Sequence, residues 1–308
     1  MQVAGVDIGG TTTKVGVLGD KFESVSFSTP HSSDLLIGSI AEAITELSYG
    51  EQIAGVGVGC PGAVDLNGEV KFMPNLQIKG FNVAKLLSER LKTKVVVTND
   101  ANAAALGECE RGGFTDAVML TLGTGVGSGI VIGGKIYEGP LGSAAELGHM
   151  IICADGRKCG CGMSGCLEAY ASASALIKRT VEAMNLHKNS FMWELCPDIN
   201  EVDGKVAFEA EKLSDKAAAE IIAEYVKFLG IGIINICNIF RPQAIIIGGG
   251  VSNQGENLLA RVREFCKKSH YGYRFAPQPQ ILKARLGSNA GLYGAIAMIK
   301  YKVEENLL

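Results

Sequence analysis

Short apolar runs alternate with glycine-rich or polar segments along most of the chain. Residues 3–7 and 14–18 predict two strands around a Gly/Thr turn at 9–13, and residues 35–47 have the apolar spacing of a helix. Residues 53–58 predict another strand that leads into a glycine turn. The same criteria predict helices over 81–91 and 101–111 and strands over 94–97, 117–122 and 130–132. This mixture predicts an α/β fold.

A strand that leads into a Gly/Thr turn and a returning strand occurs a second time, at residues 117–132. A third glycine cluster, 248–250, follows a predicted strand at 244–247 and a helical stretch between 215 and 240. The repeat predicts two similar α/β lobes that face each other across a cleft. The apolar run at 228–240 is interrupted by asparagines and is too short to span a membrane, so it predicts a buried helix.

The composition predicts a folded protein, because hydrophobic residues make up 47% and charged residues 20% of the chain. A net charge of −3 argues against nucleic acids or membranes as the main partners. The N-terminus has no basic or apolar leader, and the nine cysteines are an odd number. We therefore expect a cytoplasmic protein whose cysteines have a function other than disulfide formation.

The glycines, 40 in all, do not follow the common phosphate-binding motifs. No Gly-Lys pair is followed by Ser or Thr, and the glycines at 123–129 alternate and lead into a strand rather than a helix. Such alternation predicts that the glycines share one face of a hairpin. Their N–H groups, with the hydroxyls of residues 11–13 and Thr124, suit a phosphate chain. Tight packing against a neighbouring strand is the other interpretation.

Two carboxylates stand at the ends of predicted strands. Asp7 could hold Mg²⁺ directly or through water, or it could simply begin the glycine turn. Asp100, beside Asn99, lies where a strand meets a helix, and it could deprotonate an acceptor hydroxyl or cap the helix. Lys14 could pair with a phosphate, but its position favours a solvated strand residue.

Four metal-binding side chains lie in one short glycine-rich span: His149, Cys159, Cys161 and Cys166. Three thiols and an imidazole form a closed tetrahedral set, which is typical of a structural zinc. The C-x-C and C-x4-C spacing differs from that of zinc fingers. We predict a zinc ion that holds together a loop without a core of its own. The nearby Cys153 lies in an apolar run and predicts packing instead.

The zinc cluster is flanked by Glu146 and Glu168. The two acceptor oxygens of a carboxylate match adjacent sugar hydroxyls. Sugar binding and solvent exposure both remain open for these side chains at this point.

The chain resembles the ROK family of repressors and sugar kinases, and within it the bacterial glucokinase branch. The matching motifs occur in order over essentially the whole chain. They are DIGGTTTK at residue 7, GCPGAVD at 59, NDANAAALGE at 99, LGTGVGSGIV at 122, ELGH at 146, CGCGMSGCLE at 159 and IIIGGGVS at 245.

The resemblance implies an actin-like, ribonuclease H-like ATPase fold with two lobes and a central cleft. The smaller lobe would contain residues 1–115, joined by the C-terminal helix 290–305, and the larger lobe residues 116–289. The zinc-stapled loop would span residues 146–168 of the larger lobe.

The resemblance further implies phosphoryl transfer from Mg·ATP to the 6-hydroxyl of glucose, with Asp100 as the general base. The side chains implied to bind the sugar are Asn75, Asn99, Asp100, Glu146, His149 and Glu168. Those implied to bind the nucleotide are Asp7, Gly9, Gly10, Thr11, Thr12, Lys14, Gly123, Thr124, Gly125, Gly127, Gly248, Gly249 and Gly250. The implied zinc ligands are the same four as those derived above.

Other functions stay open within this resemblance. The acceptor could be N-acetylmannosamine, N-acetylglucosamine or fructose, and some relatives use polyphosphate or ADP as donor. A repressor is disfavoured, because the first strand begins at residue 2 or 3 and leaves no room for a helix-turn-helix before it. A non-catalytic sensor is disfavoured because Asp7 and Asp100 are both present. A homodimer or homotetramer and a place in glycolysis are further expectations.

Overall fold

A computed structural model describes residues 1–65, 68–73, 78–267 and 271–305. The side chains of residues 63, 71–73 and 78–80 lie outside this description. So does the whole of Asn75, and its sugar contact therefore stays a prediction.

The described residues form strands and helices in an α/β order. The strands are β1 (Gln2–Ile8), β2 (Thr12–Leu18), β3 (Phe22–Ser28), β4 (Ile53–Cys60), β5 (Ala63–Val64), β6 (Glu69–Met73), β7 (Ile78–Asn82), β8 (Val95–Asn99), β9 (Ala117–Leu122), β10 (Val126–Ile132), β11 (Lys135–Ile136), β12 (Ala244–Gly248) and β13 (Gln280–Lys283). The helices are α1 (Ser33–Leu47), α2 (Val83–Leu91), α3 (Asp100–Gly112), α4 (Glu168–Ala171), α5 (Ala173–Leu186), α6 (Met192–Leu195), α7 (Val206–Lys212), α8 (Lys216–Ile239), α9 (Glu256–Cys266) and α10 (Ala290–Glu304).

The chain divides into two compact units. The first unit contains Met1–Met119, Gly129–Ala145 and Arg285–Leu308, so that α10 belongs to it. The second unit contains Leu120–Ser128 and Glu146–Ala284. Three segments of the predicted larger lobe thus lie in the first unit: residues 116–119, 129–145 and 285–289. The boundaries of the functional lobes stay a prediction.

The first unit is built on a sheet of order β3-β2-β1-β4-β8. β1 pairs antiparallel with β2 and parallel with β4, and β4 pairs parallel with β8. Buried aliphatic side chains such as Val6, Val58 and Ile40 join the sheet to α1 in one core. The strand β3 lies where the sequence predicts only a polar stretch. It is an edge strand with mostly exposed side chains, so hydrogen bonds to β2, rather than apolar burial, determine it.

Side-chain caps determine where two helices of the first unit begin. The Asn82 side chain accepts the N–H of Lys85 at the start of α2. The predicted helix at 81–91 was therefore two residues too long at its start, because residues 78–82 form β7, which pairs with β6. The Asn99 side chain accepts the N–H of Ala101 at the start of α3. That helix ends at Gly113, whose φ of 72° is left-handed.

The second unit contains the parallel pair β12 and β13, with Ala244 opposite Gln280. These strands belong to a sheet of order β11-β10-β9-β12-β13. The long helix α8 begins at Asp215, whose carboxylate accepts the N–H of Ala218, and it buries Leu229 and Ile233 completely. The predicted buried helix in this region is confirmed. None of the described helices has both the length and the apolar character that crossing a membrane requires.

Candidate functional site

The first glycine turn is a tight connection between β1 and β2, both in the first unit. The N–H of Gly9 donates to the carbonyl of Thr12 over 3.0 Å. The buried Thr29 braces the turn, because its hydroxyl donates to the carbonyl of Gly9 at 2.7 Å and lies 2.9 Å from the Thr13 hydroxyl. Thr11 and Thr12 remain exposed. Of the three threonines predicted to offer hydroxyls, Thr13 is therefore committed to the fold.

Asp7 ends β1 just before this turn, and it is half-buried. Burial raises the pKa of its carboxyl group to about 6, with a further contribution from the charge of Asp100 and an opposing one from Lys14. Gly291, in the first turn of α10, faces the same carboxyl group. A Cβ atom at that position would lie 2.7 Å from the Asp7 Cγ atom, so only glycine leaves the carboxylate its place. An ionised Asp7 in this setting has the chemistry of a Mg²⁺ ligand.

Lys14 lies opposite Asp7 in the β1–β2 register. Its ammonium group donates to the carbonyl of Ser288 and, at 2.9 Å, to Oδ1 of Asn289. These residues immediately precede α10. Lys14 is therefore tied to the start of that helix rather than simply solvated, and its contact with a phosphate stays a prediction.

Asn99 and Asp100 stand at the junction of β8 and α3, as the sequence predicts. The Asn99 amide is used by the fold, because its Nδ2 donates to the carbonyl of Gly62 at 3.1 Å while its oxygen caps α3. The Asp100 side chain is exposed, and its Oδ1 accepts the N–H of Ala101 at 2.8 Å. Its charge contributes, after burial, to the raised pKa of Cys60. Asp100 is thus an accessible carboxylate at the carboxyl end of the sheet, where α/β proteins bind ligands.

In the second unit, the end of β12 packs against the end of β9. Gly249 has a φ of 80°, and a Cβ atom there would lie 2.5 Å from the backbone of Leu122. The third glycine cluster therefore lies directly beside the residue that leads into the loop at 123–125. Sequence spacing did not predict this contact, because 126 residues lie between Leu122 and Gly249.

Glu168 connects that loop to the cysteine-rich segment within the second unit. Its Oε2 accepts the N–H of Val126 at 2.9 Å, and its Oε1 lies 3.4 Å from the Cys159 thiol. A Cβ atom on Gly125 would lie 2.4 Å from Oε2, so the missing side chain admits the carboxylate. The position of the Glu168 carboxylate therefore explains why residue 125, one of the alternating glycines, has no side chain.

Glu146 and His149 begin and end a short 3₁₀ turn in the second unit, and both are exposed. The N–H of Leu147 in this turn donates to the buried hydroxyl of Ser128 at 2.9 Å. The turn is thereby attached to β10, which also carries Val126. Sequence analysis did not identify the role of Ser128, since nothing in the chain pattern marks it.

The predicted metal ligands come together. The side-chain ligand atoms of His149, Cys159, Cys161 and Cys166 all lie within 4.8 Å of one another. The Cys159 sulfur is 3.8 Å from Nδ1 of His149, and the sulfurs of Cys161 and Cys166 are 3.7 Å apart. A tetrahedron with Zn–S bonds of about 2.3 Å has edges of about 3.8 Å.

The chemistry of these donors also suits a closed metal site. Hydrogen bonds from the backbone of Met163 and from Cys159 lower the pKa of the Cys161 thiol, and so favour the thiolate that binds a metal. Burial raises the pKa of the Cys159 and Cys166 thiols, and a bound cation would offset that cost. Cys153 lies outside the group and is only half-buried. The four ligand atoms are therefore close enough together for a single tetrahedral ion to be bound by all of them.

A cavity of about 440 Å³ lies beside Thr124 in the second unit. Its charged lining comprises four cations and two carboxylates, Arg157, Lys158, Lys178, Arg179, Glu168 and Glu182. Both arginines are paired with Glu224, at 2.7 and 2.9 Å. Within the described part of the chain, Lys158 and Lys178 form no ion pair, so the cavity keeps unneutralised positive charge that suits an anion.

Comparisons with known proteins agree with this arrangement. The sequence profile of the ROK family matches residues 3–302. The glucokinase of Thermotoga maritima is 36% identical over 314 residues, which cover 98% of each chain. The crystal structure of a ROK family glucokinase from Streptomyces griseus with glucose and AMPPNP superposes with a TM-score of 0.76, at 36% identity over 96% of this chain and 98% of that chain.

Repressors of the same family are also similar. The xylose repressor of Bacillus subtilis is 28% identical over 91% of this chain and 70% of the repressor. The family profile spans nearly the whole chain, and the glucokinase structure from Streptomyces griseus superposes over 96% of it. The chain therefore belongs to the ROK family and has the actin-like, two-domain ATPase fold of its sugar kinases.

Proposed function

We propose that the protein is an ATP-dependent glucokinase that transfers the γ-phosphoryl group of ATP to the 6-hydroxyl of glucose. The observation that carries this proposal is the exposed carboxylate of Asp100, which stands beside Asn99 at the carboxyl end of β8. The relatives described above as glucokinases support glucose as the acceptor.

Asp100 acts as the general base in this proposal. Its exposed oxygens can accept the proton of the 6-hydroxyl while that oxygen attacks the γ-phosphorus, and the bond to the ADP oxygen breaks. The N–H of Ala101 holds one carboxylate oxygen and so orients the other.

Asp7 and Lys14 serve the phosphates in this proposal. Mg²⁺ bound with ATP neutralises charge that develops during phosphoryl transfer. Asp7 would hold that ion directly or through water, and the bound cation would favour the ionised carboxylate against the burial that raises its pKa. The exposed hydroxyls of Thr11 and Thr12 and the backbone of Gly9 and Gly10 would bind phosphate oxygens.

The second unit supplies the remaining nucleotide contacts in this proposal. The loop of Gly123, Thr124, Gly125 and Gly127 would bind phosphates, and residues 248–250 would approach the adenosine. The positively charged cavity beside Thr124 has room for part of the nucleotide.

Glu146, His149 and Glu168 would bind sugar hydroxyls, together with Asn75 and Asn99. Zinc held by the His149 and cysteine set would be structural, because all four positions of a tetrahedron are taken by protein atoms. The zinc would keep the 3₁₀ turn and Glu168 at a constant distance, because His149 belongs to that turn and Cys159 lies next to the Glu168 carboxylate. The metal would thus support sugar affinity without taking part in chemistry.

The decisive experiment measures ATP-dependent phosphorylation of glucose, mannose, fructose, N-acetylglucosamine and N-acetylmannosamine. We expect kcat/KM for glucose to exceed the others by at least about tenfold. A preference for an acetamido sugar or for fructose would keep the kinase and refute the glucokinase. No turnover of any sugar with ATP, ADP or polyphosphate would refute the kinase and leave a sugar sensor or repressor.

We also propose that the protein acts in the cytoplasm, in glycolysis, as a homodimer or homotetramer. Light scattering after size-exclusion chromatography tests the assembly, and a monomer at working concentration would refute it.

A further inference from the structure

The buried acid Glu108 is not explained by the proposed catalytic residues. It lies in α3, eight residues after Asp100, and its side chain is only 3% exposed. A buried carboxylate is costly unless its charge is compensated. Among the residues that the structure describes, no lysine, arginine or histidine forms an ion pair with it.

Backbone N–H groups provide the compensation instead. The N–H of Arg285 donates to both oxygens of Glu108, at 2.8 and 2.9 Å, and the N–H of Leu286 donates to Oε1 at 2.6 Å. Such charge-assisted hydrogen bonds are about twice as strong as neutral ones. Glu108 thus holds residues 285 and 286, the start of the loop before α10. The next three residues of this loop, 287–289, are exposed.

The loop that Glu108 holds leads directly to the Asp7 and Lys14 side chains. Three residues after Leu286, Asn289 accepts a hydrogen bond from the Lys14 ammonium group. Two residues further on, Gly291 lies against the Asp7 carboxyl group. All of these residues belong to the first unit.

The helices α3 and α10 leave this loop little freedom. A Cβ atom on Gly294 would lie 1.6 Å from the carbonyl oxygen of Ala103, so the two backbones are in direct contact. On α3, Asp100 and Glu108 are about 12 Å apart along the axis, at 1.5 Å per residue. One helix therefore carries the proposed base near its start and the anchor of the α10 loop about two turns later.

We propose that Glu108 is a positioning residue for phosphoryl transfer, which places Asp7 and Lys14 relative to Asp100 through the loop that begins α10. This inference rests on the proposed kinase function. It assigns Glu108 to the nucleotide and Mg²⁺ side of the reaction, and it predicts no contact between Glu108 and any substrate.

The test is Glu108→Gln in the full chain, with Glu110→Gln as the matched control. Glutamine keeps the size of the side chain but presents an NH₂ group to one of the backbone donors. Glu110 lies on the same helix and is exposed. We expect Glu108→Gln to raise KM for Mg·ATP and the Mg²⁺ concentration for half-maximal activity, each by about tenfold, with glucose binding within about twofold of the wild type. The control should match the wild type.

Calorimetric binding of Mg·AMPPNP separates this inference from the proposed function. If the wild type binds Mg·AMPPNP but phosphorylates no sugar, the proposed function fails while the binding comparison still tests Glu108. Unchanged nucleotide and Mg²⁺ parameters in a folded Glu108→Gln protein would overturn the inference. So would an equal loss of glucose and nucleotide affinity, which indicates general destabilisation.

A second variant keeps the test usable if Glu108→Gln does not fold. Asn289→Ala removes an exposed partner of Lys14 without touching the buried carboxylate. We expect it to raise KM for Mg·ATP on its own. Where Glu108→Gln does fold, the double variant should show a less than additive effect, because both changes act through one loop. An unchanged KM in Asn289→Ala would overturn the inference, as would full additivity.

Discussion

Asp7 and Asp100 lie on opposite sides of β4 in the first sheet, near enough for the charge of Asp100 to raise the pKa of Asp7. Gly59 of β4 pairs with Asp7 on one side and with Thr98 on the other. A Cβ atom on Gly59 would lie 3.8 Å from the Asp100 Cα atom. The proposed Mg²⁺ ligand and the proposed base therefore stand one strand apart, and the charge of Asp100 opposes ionisation of Asp7.

Replacement of Asp100 by Asn should remove the base and keep its shape. We expect kcat to fall by about 10²- to 10⁴-fold, the usual contribution of a general base, while calorimetric glucose affinity changes little. Glu42→Gln, an exposed change on α1, is the control and should keep full activity. Near-normal turnover by Asp100→Asn would mean that another group removes the proton.

The pKa of Asp7 leads to a prediction about stability and pH. The Asp7 carboxyl group keeps its proton up to about pH 6 in the folded protein, but only up to about pH 3.8 in the unfolded chain. The free energy of unfolding therefore falls as pH rises between these two values. In the absence of Mg²⁺ and nucleotide, Asp7→Asn should therefore stabilise the protein by about 2–3 kcal/mol at pH 7.5. The gain should be clearly smaller at pH 4.5. Urea unfolding at both pH values measures it, and a gain that is independent of pH would contradict the assignment.

Zinc binding should be measurable directly in protein purified without chelators. We expect one zinc per chain by elemental analysis, because the four donor atoms lie within 4.8 Å of one another. Cys161→Ala should lose the metal and lower Tm, since metal binding contributes to the stability of the loop. Cys153→Ser changes a half-buried cysteine near the group and should keep the zinc. A zinc-free wild type, or equal zinc loss in both variants, would refute the site.

The contact between the third glycine cluster and β9 can be tested with neighbouring glycines. Gly249→Ala combines a left-handed φ with a Cβ atom 2.5 Å from the Leu122 backbone, and we expect it to lower the free energy of unfolding by about 2 kcal/mol or more. A Cβ atom on Gly250 meets no atom within 4 Å, so Gly250→Ala should cost less than about 1 kcal/mol. Chemical denaturation compares the two, and equal effects would contradict the described packing.

Local sequence patterns were sufficient for the elements that bury apolar side chains or begin at a capping residue. The strand before Asp100, the long helix α8 and the cluster of four possible metal ligands were all predicted from residue type and spacing. The pattern was not sufficient for β3, because an exposed edge strand has no apolar signature. It also extended the helix at 81–91 too far, because residues 78–82 pair with β6.

The sequence by itself determined the family, the order of α/β elements, four side chains that could hold a metal, and the carboxylates at the ends of strands. Each of these depends on residues close together in the chain or on motifs in a recognisable order. Only the tertiary structure decided which distant residues meet. Thr29 braces the first glycine turn, Gly249 contacts Leu122, and Glu108 holds Arg285. These contacts depend on how sheets and helices pack, and packing of backbones at close range leaves no periodic signal in the sequence.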